Sequence, residues 1–130
     1  MLDERLEEEP NAQMILCGDF NDTFESKTIQ TLLGRAPGNS GGPELVPLFG
    51  RVPKGDQVTY NREPHRSMID FLLCSPGMAK RYVHGSYQIR ASREEESGSD
   101  HNPVYAQFLK KSPNPGAETS VSAVPVSTTP

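Results

Sequence analysis

Carboxylates, an amide and a histidine occur in three short clusters that each lie at or within a candidate β-strand. Asp19 and Asn21 follow an apolar run, and Asp70 interrupts a second one. Asp100 and His101 come directly before a third run. Polar groups at strand ends are rigid and reachable by solvent, which is where catalytic side chains are usually placed. A layered fold would therefore bring the three clusters to one end of a sheet.

Together these side chains have the chemistry that in-line hydrolysis of a phosphoester requires. The set offers a metal-binding acid, a water-activating acid, an amide donor and a histidine supported by an acid. Such a reaction needs an oriented water, a cation and donors that face the charge on the phosphoryl oxygens. The three clusters indicate this chemistry only in combination.

Each cluster taken alone also has an ordinary structural interpretation. An Asp-x-Asn sequence after a strand is typical of a helix-capping turn, and Asp70 can occupy the wet face of its strand. Asn102 is interpreted as a turn residue. An EF-hand loop starting at Asp19 would need Gly and Glu where the chain has Phe24 and Gln30, which excludes that calcium site.

A serine hydrolase that uses Ser99 is a further alternative, because Ser99 stands beside Asp100 and His101. A catalytic triad converges in space from separate segments, so adjacent residues rarely meet its geometry. The chain also has no Gly-x-Ser-x-Gly elbow to supply the nucleophile. The sequence therefore disfavours this class.

The apolar patterns predict an α+β domain in which strands outnumber helices. A short surface helix is expected within residues 1–9, ended by Pro10, and a second helix is expected after Ser26, ended by Gly34. Strands are predicted from period and composition. They cover residues 13–17, 57–61, 68–74, 82–89 and 104–109.

Length and composition predict one domain and a tail. The chain has 130 residues, of which 34% are hydrophobic, and this suits one compact domain. Residues 112–130 are rich in Pro, Ser, Thr, Ala and Val, which predicts a disordered tail after a domain at residues 1–111. Cys17 and Cys74 each end an apolar run and are predicted to be buried rather than paired.

The net charge of −4 disfavours a surface that binds nucleic acid by bulk electrostatics. Acidity is compatible with a phosphate substrate, because a cation held by carboxylates neutralises the phosphate locally. The sequence has no apolar run of about 18 residues, so no transmembrane segment is predicted. Its acidic N-terminus is unlike a secretory signal, so the chain as given is expected to be soluble and cytoplasmic.

Three strings in order resemble the C-terminal half of the endonuclease/exonuclease/phosphatase (DNase I-like) superfamily. They are GDFN at 18–21, IDF at 69–71 and SDHNPV at 99–104. The resemblance implies part of a four-layer α/β/β/α sandwich, represented here mainly by one sheet plus flanking helices. It also implies a metal-dependent hydrolase that acts on phosphoesters.

The resemblance assigns a role to each matching side chain. Asp19 would orient or deprotonate the attacking water, and Asn21 would hydrogen-bond the reacting phosphoryl group. Asp70 would pair with His101 and support its positive form against a phosphate oxygen. Asp100 would ligate or steer Mg²⁺ or Mn²⁺.

The resemblance extends to Thr59, which matches a position near the scissile phosphate and would bind substrate together with Asn21 and His101. Relatives carry an Asn and a metal-ligating Glu well before GDFN, and the few residues that precede Asp19 here have no counterpart of them. We therefore expect a half-site that needs a complementing N-terminal half. The alternative is a non-catalytic fragment or a phosphate-binding remnant. The substrate stays open among nucleic acid, a lipid head group and a small phosphodiester.

Overall fold

The computed structural model describes residues 2–35, 37–38, 44–92 and 98–111. They form a small mixed α/β domain with antiparallel strands. The predicted tail at residues 112–130 lies outside the described residues. In chain order the elements are α1 (Leu2–Glu8), β1 (Ile15–Asp19), α2 (Lys27–Leu32), β2 (Val46–Pro47), 3₁₀ turns at Phe49–Arg51 and Lys54–Asp56, β3 (Asp70–Cys74), α3 (Pro76–Ala79), β4 (Gln88–Ile89) and β5 (Val104–Tyr105).

The larger sheet has three antiparallel strands in the order β1-β3-β2. Strand β3 lies in the middle because its side chains are the most apolar, and Leu73 and Cys74 have no exposed surface. In the register between β1 and β3, Asp19 lies directly opposite Asp70. The sheet therefore places the first two acidic clusters side by side.

One face of this sheet is covered by aromatic rings. The rings of Phe20, Phe24, Phe49 and Phe71 have centroids 4.8 to 6.0 Å apart in the contacting pairs. Phe71 is buried, and full burial of such a side chain stabilises a fold by roughly 1.5–3 kcal/mol. Ten buried side chains make up the core: Leu6, Ile29, Leu33, Leu45, Leu48, Phe49, Phe71, Leu73, Cys74 and Tyr87.

The other face of β1 is open. Ile15, Cys17 and Asp19 alternate along the strand, so they point to the same side, and all three are exposed. The prediction that Cys17 is buried was therefore wrong, because the described residues leave this side of the edge strand β1 exposed. Cys74 is buried as predicted, and desolvation raises the pKa of its thiol to about 11.

Helix α2 forms where the sequence predicts it. The Ser26 hydroxyl accepts a hydrogen bond from the Ile29 amide at 3.2 Å, which confirms Ser26 as the N-cap. Gly34 follows the helix with a φ of 82°, a left-handed conformation that glycine adopts without strain. Helix α1 ends before Pro10, also as predicted.

Three predicted strands are much shorter than expected, and the strands form two sheets rather than mainly one. Of residues 82–89 only β4 is a strand, because the chain turns at Gly85, whose φ is 80°. β4 pairs with β5, the first two residues of the expected strand at 104–109, to form the second sheet. Of residues 57–61 only Tyr60 makes β-bridges.

Two elements escaped prediction because their signals are local and short. β2 contains a proline, which cannot donate to a ladder, and has two residues. Helix α3 has four residues and begins at Ser75, whose hydroxyl accepts from the Met78 amide at 3.3 Å. Among the residues that the structure describes, no helix has the length and apolar character needed to cross a membrane.

Candidate active site

The three acidic clusters meet beside the ends of β1 and β3. Asp19 and Asp70 are opposite each other in the sheet, and His101 reaches them from the loop before β5. One side-chain oxygen or nitrogen from each of the three lies within 4.8 Å of the others. Residues distant in sequence thus form one cluster, as the strand-end argument predicted.

His101 is oriented by a hydrogen bond to Asp70. Its Nδ1 lies 2.9 Å from Asp70 Oδ2, and because an ionised carboxylate only accepts, Nδ1 donates this bond. The other ring nitrogen, Nε2, therefore faces Asp19, whose Oδ2 is 3.9 Å away. That separation is too long for a direct hydrogen bond. Two hydrogen bonds in line would span roughly 5.5 Å, so a polar group that contacts both atoms must approach from the side of the pair.

The acidic surroundings favour the charged form of this imidazole. The hydrogen bond to Asp70 raises the pKa of His101 above its ordinary value of 6.5. Partial burial opposes this shift, whereas the negative charges of Asp70, Asp19 and Asp100 reinforce it. The site therefore favours the cationic, donating form of His101 next to an exposed carboxylate.

Tyr60 contacts His101 through both its ring and its backbone. Its ring centroid lies 5.3 Å from that of His101, and the two residues form an antiparallel bridge. Backbone pairing and ring contact together fix where the imidazole lies.

Asn21 lies in a tight turn directly after β1. Its backbone amide donates to Asp19 Oδ1 at 2.8 Å, and its φ is 51°, a left-handed conformation that Asn tolerates better than most residues. One Asp19 oxygen is thus held by the backbone, and the other faces His101. Asn21 itself is exposed.

Thr59 has no exposed surface and supports the site through buried hydrogen bonds. Its hydroxyl accepts hydrogen bonds from the backbone amides of Ile69, at 2.9 Å, and Asp70, at 3.0 Å. Its carbonyl accepts from the amide of Asn102 at 2.6 Å. The sequence analysis predicted a contact between Thr59 and substrate, whereas the structure places this side chain where it positions Asp70.

Asn102 joins three segments of the chain around the site. It is buried, its Nδ2 donates to the Val58 carbonyl at 2.8 Å, and its Oδ1 accepts from the Ser92 amide at 2.9 Å. The sequence suggested only a turn residue here. The signal that could have found this role is the place of Asn102 directly after His101, at the start of the last apolar run.

Asp100, predicted as the metal ligand, lies beside the cluster and outside the group of three. Its Oδ2 is 3.9 Å from a guanidinium nitrogen of Arg62, and its carbonyl accepts from the Asn61 amide at 2.8 Å. Its charge still acts on His101, as the pKa of that residue shows. The structure thus brings together three predicted side chains, Asp19, Asp70 and His101. The Asn21 backbone contacts Asp19, and Asp100 lies at the edge.

The donor atoms suit a hard divalent cation in part. Mg²⁺ and Mn²⁺ prefer carboxylate oxygens, and Asp19 and Asp70 present theirs close together. Mg²⁺ usually keeps several waters and takes one or two protein carboxylates. One oxygen of each carboxylate already accepts a hydrogen bond, from His101 at Asp70 and from the Asn21 amide at Asp19. Asp19 is the more exposed of the two and therefore the more accessible ligand.

An open cavity of about 540 Å³ adjoins the cluster. Asp70 and His101 form its polar end, and Cys17, Leu72 and Val104 form its apolar wall. Cys17 and Leu72 are paired on one face of the larger sheet, and Val104 lies on β5 of the second sheet. A ligand or another polypeptide segment that entered here would bury apolar surface next to a charged site.

Comparisons with protein-family models, with curated proteins and with solved structures found no match. The arguments for function therefore come from the geometry of the site and from the resemblance of the three strings.

We predict that Asp70→Asn lowers the pKa of His101. The substitution keeps the size of the side chain and removes the charge that stabilises imidazolium. The folded-state pKa of His101 lies above 6.5, so its protonation stabilises the fold below that pH. This contribution is lost as the pH rises through the folded-state pKa. NMR titration of the ring protons measures the shift, with Asp56→Asn as the control. An unchanged His101 titration in Asp70→Asn would contradict the pairing.

We also predict that Thr59→Val lowers the free energy of unfolding by about 1–3 kcal/mol, because two buried backbone amides lose their acceptor. Thr59→Ser keeps the oxygen and should lose less. Thr31→Val, at an exposed position of α2, is the matched control. Urea unfolding measures all three variants. A Thr59→Val variant as stable as the native chain, within about 0.5 kcal/mol, would show that the hydroxyl has no positioning role.

Proposed function

We propose that the chain carries the C-terminal half-site of a metal-dependent phosphoesterase of the endonuclease/exonuclease/phosphatase superfamily. The observation that carries the proposal is the Asp70–His101 pair facing Asp19 across a gap of 3.9 Å. An acid-supported imidazole opposite an exposed carboxylate is suited to a phosphoryl group with its attacking water. The three strings that supply these residues support the same family.

Each side chain has a role in the proposed reaction. Asp19 orients the water and accepts its proton, and the protonated His101 donates from Nε2 to a phosphoryl oxygen as negative charge develops. Asp70 keeps His101 charged and aligned. Asn21 donates its side-chain amide to a second phosphoryl oxygen.

Mg²⁺ or Mn²⁺, when bound, supplies Lewis-acid stabilisation of the phosphoryl charge. Asp19 is the carboxylate best placed to hold the ion, and Asp100 attracts it from the edge of the cluster. Substrates that fit this chemistry are nucleic acids, lipid head groups and small phosphodiesters.

The proposed whole fold is the four-layer α/β/β/α sandwich, of which this chain would contribute one sheet and its flanking helices. The open face of β1, with Ile15 and Cys17 exposed, supports this arrangement, because a complementing N-terminal half would cover it. In a four-layer fold that face would pack against the sheet supplied by the N-terminal half. Among the described residues, the outer edge of β1 has no partner strand, so a strand of the N-terminal half could pair with it.

A second candidate function is phosphate binding without turnover. The observation that favours it is the small set of carboxylates, since only Asp19 and Asp70 join His101 in the group that could hold an ion among the described residues. A phosphate could still meet the cationic imidazole and the exposed Asn21 amide. In that case the site would lack enough ligands to hold the metal ion that hydrolysis needs.

Hydrolysis of bis(4-nitrophenyl) phosphate and of plasmid DNA by the 130-residue chain, with Mg²⁺ or with EDTA, tests the proposal. We expect Asp19→Ala and His101→Gln each to lower any Mg²⁺-dependent rate by about 10²–10⁴-fold, the usual effect of removing a general acid or base. Asp22→Asn, in the same loop as Asp19, is the control and should keep the rate.

The outcomes separate the candidates. Mg²⁺-dependent turnover that both variants keep would contradict the site assignment. Turnover by the chain alone that both variants lose would support the site and exclude the need for a complementing half. Binding of inorganic phosphate without turnover, weakened by His101→Gln, would favour the second candidate.

A further inference from the structure

A second cavity, of about 350 Å³, lies on the other side of Asn102 from the acidic cluster. Its walls come from the two 3₁₀ turns, at Phe49–Arg51 and Lys54–Asp56, and from β4. Asn102 lines both cavities and is buried between them. The hydrogen bonds of Asn102 to Val58 and Ser92 fix this shared wall, so the second cavity is a built feature of the domain.

The second cavity is positively charged in an otherwise acidic chain. Arg51 and Arg66 line it, and Asp56 is the carboxylate among its lining residues. Within the described part of the chain, Arg51 makes no ion pair. Arg66 is 3.7 Å from Glu63, with both side chains largely exposed, and such surface pairs are weak and easily exchanged. Two guanidinium groups are therefore available to an anion.

A buried tyrosine also lines this cavity. Tyr87 is 6% exposed, and among the residues that the structure describes its hydroxyl has no hydrogen-bond partner. A buried hydroxyl without a partner is uncommon in folded proteins and calls for an explanation such as a bound ligand or water. Burial raises the pKa of the Tyr87 phenol, so the group stays a neutral donor.

The remaining walls are partly polar, with Asn61, Gln88 and Asn102, and partly apolar. Val52, Val58 and Ile89 contribute aliphatic surface next to the arginines. A volume of about 350 Å³ is at the small end of the range for ligand pockets, which is about 300–1,000 Å³. It exceeds what a lone phosphate needs. The lining therefore matches a compact molecule with an apolar part and an anionic part.

We propose that this cavity, hereafter the arginine pocket, is a second ligand site that binds a phosphate group carried on a small aromatic ring. A phosphate monoester has about two negative charges at neutral pH, which matches the two guanidinium groups. The ring packs on Val52, Val58 and Ile89. The proposal does not depend on hydrolysis at the acidic cluster, since binding alone defines it.

Phenyl phosphate tests the arginine pocket directly, with inorganic phosphate and phenol as separate probes of the two halves of the ligand. Each is titrated into the ¹⁵N-labelled 130-residue chain and followed by NMR, with EDTA present to suppress metal-dependent binding at the acidic cluster. We expect phenyl phosphate to bind at least about tenfold more tightly than either probe. Its shifts should centre on Arg51, Gln88 and Ile89.

The variants separate this pocket from the acidic cluster. Arg51→Gln and Arg66→Gln, both at exposed positions, should each weaken phenyl phosphate binding about tenfold or more, the loss typical of a charge-assisted hydrogen bond. Arg90→Gln, an exposed arginine outside the pocket lining, is the matched control and should bind normally. Asp19→Ala should also bind normally.

Three outcomes would overturn the proposal. The first is phenyl phosphate binding no tighter than that of inorganic phosphate. The second is binding that Arg51→Gln and Arg66→Gln leave unchanged. The third is binding that Asp19→Ala abolishes, which would assign the ligand to the acidic cluster instead.

Discussion

The register between β1 and β3 is the constraint on which the site depends. Side chains alternate between the two faces of a sheet, so a slip of one residue would send Asp19 to the opposite face from Asp70. The buried Phe71 and Leu73 prevent this slip, because it would expose them. The free energy of core burial therefore also fixes which two carboxylates meet. The pairing of Asp19 with Asp70 is thus maintained by the burial of Phe71, the residue next to Asp70.

A second, polar constraint brings the last cluster to the sheet. The buried Thr59 hydroxyl holds the amides at the start of β3, and its carbonyl holds the amide of Asn102. Asn102 follows His101 directly, so the hydrogen bonds of Thr59 also place the His101 imidazole next to Asp70. Buried polar networks are costly when partly satisfied and rigid when complete. Here the completed bonds give the loop one position and the histidine one orientation.

Much of this arrangement could be predicted from the sequence, and the exceptions have physical causes. Strand β1, strand β3 and helix α2 carry strong local signals, namely apolar runs and the Ser26 cap. The convergence of Asp19, Asp70 and His101 was predicted because Asp19 and His101 lie next to predicted strands and Asp70 lies within one. The buried position of Thr59 was not, because burial depends on what packs above a residue and not on its own type.

Other differences arise from the same source. Cys17 resembles a core residue by its neighbours, yet the uncovered face of an edge strand leaves it exposed. The arginine pocket is made by two neighbouring 3₁₀ turns together with β4, which is distant from them in sequence, so no single sequence motif predicts it. Asp100 is separated from the group of three by its own backbone contacts. Local sequence patterns thus predicted the main helices and strands. Which residues are buried, and where the loops run, became clear only from the structure.

The most direct test of the central claim, that the clusters form one cation-dependent site, is paramagnetic NMR with Mn²⁺. Added in trace amounts to the ¹⁵N-labelled chain, Mn²⁺ should broaden the amide signals of Asp19, Asp70 and His101 together. Asp19→Ala should abolish this broadening, whereas Asp22→Asn should preserve it. Signals of Asp70 and His101 that stay sharp in the native chain, or that broaden equally in Asp19→Ala, would contradict the account.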